Sequence, residues 1–340
     1  MRKLLSILLP LALALGGCAA LESREEGPRR YEATFLELFD TVTTVIGYAE
    51  SEEEFTAVVE EIRAELTVYH QLYDIYNDYE GVVNLKTVND HAGETVAVDG
   101  RIIDLLLLAK EFYAATGGKV NAAMGSVLTL WHEAREDSIA DPQNAYLPDG
   151  EAIQAALAHT DFDQVVIDVE NGTVCLLDPE MRLDVGALAK GYAAEQAARA
   201  VDGNYLISVG GNVRAAGPRA DGTAWTVGVE NPDGGDYVET LRIKTEAVVT
   251  SGDYQRYYTV DGVRYHHIID PATGYPGDLY RAVTVVGPDS GEADGLSTAL
   301  FLMSEEEGRA LLETFGAQAL WIYADGTVSY TEGMASYFSP

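Results

Sequence analysis

Along residues 34–323 the apolar positions switch repeatedly between the two-residue alternation of strands and the three-to-four-residue spacing of helices. That succession limits what the chain can fold into more than any other feature. Residues 34–48, rich in Thr, Val and Ile, read as one strand. Ser51 then opens a helix with Glu54 three residues on, a capping box, and Phe55, Val58, Val59, Ile62, Leu66 and Tyr69 follow at helical spacing. The chain after Tyr76-Asn77 reads as loop to Asn89-Asp90; a second helix starts after Asp99 and stops at Gly117-Gly118. Residues 119–147 read as mostly irregular, and a third helix covers 149–159. Strands at 164–169 and 173–177 flank the turn Asn171-Gly172, a hairpin signal. A helix over 187–200 leads into a buried strand, 205–209, that ends at Gly210-Gly211. Short strands at 225–230, 239–243, 247–250, 257–260 and 264–269 follow, then helices at 294–303 and 305–315 and a strand at 319–323. The order argues for the α+β class, with a mixed sheet covered by helices.

The first residues carry an address. Arg2 and Lys3 precede an apolar run from Leu4 to Leu15, too short to span a bilayer, which reads as a signal peptide over residues 1–17. It ends in Leu15-Gly16-Gly17-Cys18, which resembles the lipobox of bacterial lipoproteins, so Cys18 is the expected lipidation site. Several acyl chains on one cysteine would hold the chain durably, at about 0.8 kcal/mol per buried methylene. Residues 18–30 read as a flexible tether, and residues 31–340 as one large folded body. The expected location is the extracytoplasmic face of the cell membrane. With Cys18 lipidated, Cys175 has no intramolecular partner, and its apolar setting suits a core position.

The formal charge of −33 repels nucleic acid and anionic lipid heads, so neither is an expected partner. A phosphate-bearing ligand would need a metal ion or a local cluster of donors.

Four segments hold residues poorly chosen for simple packing. In Leu183-Asp184-Val185-Gly186-Ala187-Leu188-Ala189-Lys190-Gly191-Tyr192, Gly186 permits an unusual backbone before a helix. The free amides there can meet a phosphate or carboxylate, with Lys190 one turn in. Val209-Gly210-Gly211-Asn212 allows close approach of a ligand or of another backbone. Thr250-Ser251-Gly252-Asp253-Tyr254 is followed by Tyr265-His266-His267-Ile268-Ile269-Asp270-Pro271, where adjacent histidines on a strand face opposite ways. Asp270 can orient a histidine or cap a turn. In Ala293-Asp294-Gly295-Leu296-Ser297-Thr298, Asp294 and Thr298 share one helical face, a carboxylate plus a hydroxyl suited to a hard cation such as Mg²⁺.

Together and in this order, these stretches resemble the ApbE-type FAD:protein FMN transferases. Weaker matches at Phe39-Asp40-Thr41, Tyr76, Asn89 and Ala123-Met124-Gly125 extend the likeness to residues 34–335. The resemblance implies a T-fold-like body that binds FAD with Mg²⁺ and transfers its FMN half to a threonine or serine hydroxyl of an acceptor protein, releasing AMP. It implies FAD contacts at Phe39, Tyr76, Ala123, Met124, Gly125, Asp184, Lys190, Ser251, Gly252 and Ile269. It implies a metal held by Asp294, Thr298 and an oxygen at Ala187, with Ser297 close by. His267 is the candidate general base, with Asp270 to orient it. The expected acceptor is an exported flavoprotein, such as a subunit of a membrane electron-transfer complex. Two departures from the family pattern stand out: Phe39-Asp40 for the commoner Met-Gly, and Gly295 for a usual alanine. An Mg²⁺-dependent FAD pyrophosphatase and a non-catalytic, lipid-anchored FAD-binding protein are the competing readings.

Overall fold

In the computed structural model, which describes residues 27–339, eight strands form one sheet whose spatial order follows the chain. They are Arg29–Leu38, Thr41–Ala49, Tyr205–Val209, Asn212–Ala215, Ala247–Gly252, Tyr280–Gly287, Gln318–Tyr323 and Val328–Tyr330. Each pairs antiparallel with the next, so the sheet is a meander with long insertions between its strands. The leader, Cys18 and the tether up to residue 26 lie outside the described residues. No helix of the described residues is long and apolar enough to cross a membrane.

The helices are α1 (Glu52–Tyr73), α2 (Leu85–Asp90), α3 (Gly100–Ala115), α4 (Gly125–Ala140), α5 (Gly150–Leu157), α6 (Ala189–Ala200), α7 (Ser290–Phe301) and α8 (Glu305–Phe315). Alternation along the strands decides what covers each face. Ile207, Val209, Val249, Val283, Val285 and Trp321 point into the main core with α1, α6 and α7. Leu206, Val248, Ala282, Val286, Leu320 and Ile322 point the other way, where the hairpin Trp225–Val229/Glu239–Ile243 covers them. With both faces buried, these strands read in sequence as continuous apolar runs. The architecture is the α+β class, with pairing in the sheet antiparallel throughout.

Several elements differ from the sequence reading. The expected strand over 34–48 is the end of one strand and most of the next, joined by a hairpin turn at Phe39 and Asp40, both left-handed, with φ of 54° and 50°. Neither residue is glycine, so no turn signal marked the break. Residues 125–140, expected to be irregular, form α4, because the hydrophobic stripe is narrow and half of its face meets a cavity rather than a core. The strand Tyr280–Gly287 was not anticipated although it is central and almost wholly buried. The helix expected at 294 begins one turn earlier, where Asp289 caps it by accepting from the amides of Gly291 and Glu292.

Candidate active site

The ends of the central strands, the first turn of α6, the middle of α7 at Asp294 and Thr298, and one face of α4 surround an open cavity of about 1100 Å³. One wall begins where α6 and α7 touch at Gly191. A Cβ there would lie 2.2 Å from the Ser290 carbonyl oxygen and 2.5 Å from Asp294 Cβ, so only glycine permits the contact. The Gly191 amide, which would otherwise close the first helical turn onto the Ala187 carbonyl, donates instead to Asp294 Oδ2 at 2.8 Å. The Ala187 carbonyl is left without a hydrogen bond among the described residues.

Asp294 is buried at 4% exposure, and that burial raises its pKa, with Lys190 opposing the shift. The Asn212 amide is near enough to favour the charged carboxylate, yet it stands outside hydrogen-bond geometry and its buried nitrogen has no partner. Ala187, Asp294 and Thr298 all line the cavity. A carbonyl, a carboxylate and a hydroxyl make an all-oxygen donor set, and a cation there would keep the buried acid ionised. No cluster of three or more acidic, His or Cys side chains suited to a metal occurs among the described residues. The oxygen set therefore fits a hard cation that keeps water or ligand phosphates as its remaining partners. Ser297 stands close by, but not at the cavity surface. Its hydroxyl donates to the Asp294 carbonyl at 2.9 Å and meets Ser251 Oγ at 2.8 Å, behind the cavity wall, so it braces the site rather than facing a ligand.

Lys190 sits in the first turn of α6, and its charge is felt at Asp184, Asp294 and His267 alike. Asp184, half-buried, accepts from the Gly186 amide at 2.8 Å; burial raises its pKa, and that amide and Lys190 counter the rise.

Of the paired histidines, His266 is buried. Its Nε2–H donates to the Gly277 carbonyl at 2.7 Å and its Nδ1 accepts from the Ile268 amide at 3.2 Å. His267 opens to the cavity. Its Nδ1 lies 3.2 Å from the Arg256 carbonyl, which can only accept, so Nδ1 carries the proton and Nε2 keeps its lone pair. The depth of the cleft, then Arg256 and Lys190, hold its pKa below the ordinary value. Asp270 does not orient it. Both of its carboxylate oxygens accept from Lys119 Nζ at 3.0 Å, and Oδ1 also takes the Ala272 amide, so an ion pair from the end of α3 has claimed the side chain.

Of the remaining expected contacts, Tyr76, Met124, Ser251, Gly252 and Ile269 line the cavity. Tyr76 stacks on His132 at 5.0 Å between centroids. Phe39 does not line the cavity. Its backbone serves the turn, its ring packs on the core edge-on to His70, and Asp40 and Thr41 face the opening instead. Ala123 and Gly125 stand behind Met124; Gly125 lies so close to strand 182 that a Cβ would sit 2.5 Å from the Arg182 carbonyl oxygen.

Residues 39–321 match the ApbE family. The chain belongs to that family. It is 37% identical over 273 residues to the FAD:protein FMN transferase of Treponema pallidum, covering 74% of this chain and 73% of that one. The enzyme of the same name from Vibrio cholerae is 31% identical, over 79% of this chain and 81% of its own. The crystal structure of the ApbE protein of Thermotoga maritima superposes with a TM-score of 0.81 at 31% identity, over 92% of this chain and all of that one.

Within this ApbE-family site, sequence reasoning missed a whole wall. Leu128, Trp131, His132, Arg135, Glu136 and Ile139 present one face of α4 to the cavity, at spacings of three and four that were legible in retrospect. It also missed the cations. Lys119, Arg135 and Arg256 join Lys190 in the lining, where they offset most of the charge of Asp40, Glu136, Asp184, Glu230 and Asp294. Arg256 carried no signal, since its role comes from a loop that returns it to His267.

Proposed function

We propose that this chain is an FAD:protein FMN transferase that works with Mg²⁺, places FMN on a threonine or serine hydroxyl of its acceptor and releases AMP. The observation that carries this reading is the convergence on Lys190. Lys190 lines the same cavity as Ala187, Asp294 and His267, and its charge bears on both Asp294 and His267. The cavity, at about 1100 Å³, exceeds the ~300–1,000 Å³ usual for small-ligand pockets and suits a two-part ligand such as FAD.

Mg²⁺ would be held by Asp294, Thr298 and the Ala187 carbonyl, and would supply charge neutralisation at the pyrophosphate. Lys190 and Arg256 add fixed positive charge beside it. His267 Nε2 accepts the proton of the acceptor hydroxyl. The hydroxyl oxygen bonds to the flavin-side phosphorus as the bond from that phosphorus to the bridging oxygen breaks, and AMP leaves with that oxygen. Tyr76 and the α4 face hold and shield the ring portions of FAD.

Attachment through Cys18 to the extracytoplasmic face of the membrane is part of the same reading. Its support is the leader and the Leu15-Gly16-Gly17-Cys18 stretch. An enzyme so placed modifies exported acceptors, such as flavoprotein subunits of membrane electron-transfer complexes. The deciding experiment incubates the protein with FAD, Mg²⁺ and such a subunit. A gain of one FMN in the acceptor's mass with stoichiometric AMP is expected. AMP without the mass gain would mean hydrolysis, and FAD bound without turnover would mean a binding protein.

A further inference from the structure

One turn beyond Gly191 on α6, Glu195 is buried at 2% exposure and does not line the cavity. Its Oε2 accepts from Arg214 Nε at 2.5 Å and from the Ser290 amide at 2.9 Å. Its Oε1 accepts from Arg199 Nε at 2.9 Å and Arg214 Nη2 at 3.2 Å. Arg214 in turn donates Nη1 to the carbonyls of Ala215 and Thr245. Ser290 opens α7 exactly one turn before Asp294. Its amide is one of the helix's orphan first-turn donors, and the Asp289 cap does not reach it.

The two helices are thus tied twice, at positions four residues apart on each. Gly191 on α6 donates to Asp294 on α7, and Ser290 on α7 donates to Glu195 on α6. An apolar pair would fill the same space, and buried ion pairs add little net stability over such a replacement. What an apolar pair cannot do is hold Ser290 at a set distance from α6 and anchor both to the sheet through Arg214. Glu195 is therefore placed to fix the register of the wall that presents the Ala187 carbonyl in the turn leading into α6 and Asp294 and Thr298 on α7.

We propose that Glu195, clamped by Arg214, is the positioning residue that sets the spacing of the cation-binding oxygens across the α6–α7 contact. This rests on the cation reading of the site given above. Residues that orient metal ligands from behind typically contribute 10–100-fold in metal affinity. The test is a titration with Mn²⁺ in the presence of FAD and the absence of acceptor, read by the electron paramagnetic resonance of free Mn²⁺. Glu195→Gln is expected to weaken Mn²⁺ binding by at least about tenfold, with FAD affinity in the absence of metal unchanged. Arg214→Lys, which keeps the charge and loses the fork, should fall between it and the parent. Met334→Ala, in the core on the opposite face of the sheet, is the control: it should lower the melting temperature without moving Mn²⁺ affinity. Glu195→Gln and Arg214→Lys with parental Mn²⁺ affinity and only a lowered melting temperature would overturn the proposal. Absence of Mn²⁺ binding in the parent would overturn the cation reading itself, so the two failures separate on the unsubstituted protein.

Discussion

His267 gives its Nδ1 proton to the Arg256 carbonyl and keeps Nε2 free, so a single backbone oxygen decides which nitrogen can act as a base. His267→Ala should lower the rate of FMN transfer by about 10²–10⁴-fold and leave FAD affinity nearly intact; retained transfer would remove it from the mechanism. Its pKa in the fold lies below 6.5, so the neutral base persists as pH falls past that value. The acid limb of kcat/KM should therefore lie below pH 6.5, and a limb at or above it would contradict the assignment. His266 carries the stability counterpart. Burial lowers its pKa, and both ring nitrogens are committed as a neutral donor and acceptor. Its contribution is complete above the unfolded value of 6.5 and is lost as pH falls through the lower folded value. A melting curve that steepens downward below pH 6.5, and flattens in His266→Gln, is the expected result. At Asp294 the expectation is different: Asp294→Asn should remove the Mg²⁺ dependence of transfer together with most of the activity, seen as a flat response to added Mg²⁺.

Helices α6 and α7 meet through one missing side chain. In Gly191→Ala the new methyl would collide with the Ser290 carbonyl and Asp294 Cβ, neither of which is the free end of a flexible chain. A loss of about 1–3 kcal/mol in unfolding free energy is expected. Because the same shift moves the amide that holds Asp294, cation affinity should fall with it; a stable variant with normal affinity would mean that the helices can separate freely. The first hairpin makes a second point at this scale. Its turn places Phe39 and Asp40 in left-handed conformations, and the ring of Phe39 is drawn to the core while Asp40 faces the cavity. A residue carried over from a family pattern kept its place in the chain but not its contact.

Over the whole molecule the charge is strongly negative, while in the cavity Lys119, Arg135, Lys190 and Arg256 stand against the carboxylates of Asp40, Glu136, Asp184, Glu230 and Asp294. An anionic ligand therefore meets less repulsion there than over the rest of the surface. The proposed placement outside the membrane is tested on the full chain. Cys18→Ser should shift the protein from the membrane fraction to the soluble one and abolish incorporation of a labelled fatty acid. An unchanged distribution would reject the anchor.

The α+β class, the first helix with its capping box and the order of the glycine- and histidine-bearing segments were legible in the sequence. These depend on local spacing and on residues with few alternative uses. The sequence also singled out Asp184, Lys190, Asp294 and Thr298, and all four line one cavity. Other features were settled only by tertiary structure. Asp270 pairs with Lys119, 151 positions away, and not with the histidine three residues before it. Ser297 turns inward to Ser251, and α4 lines a cavity where its sequence suggested no regular structure. The central strand Tyr280–Gly287 gains its identity from two neighbours distant in sequence. The physical reason is common to all four. A side chain's partner is chosen by what long-range packing brings within about 3 Å, and local pattern carries no record of that choice.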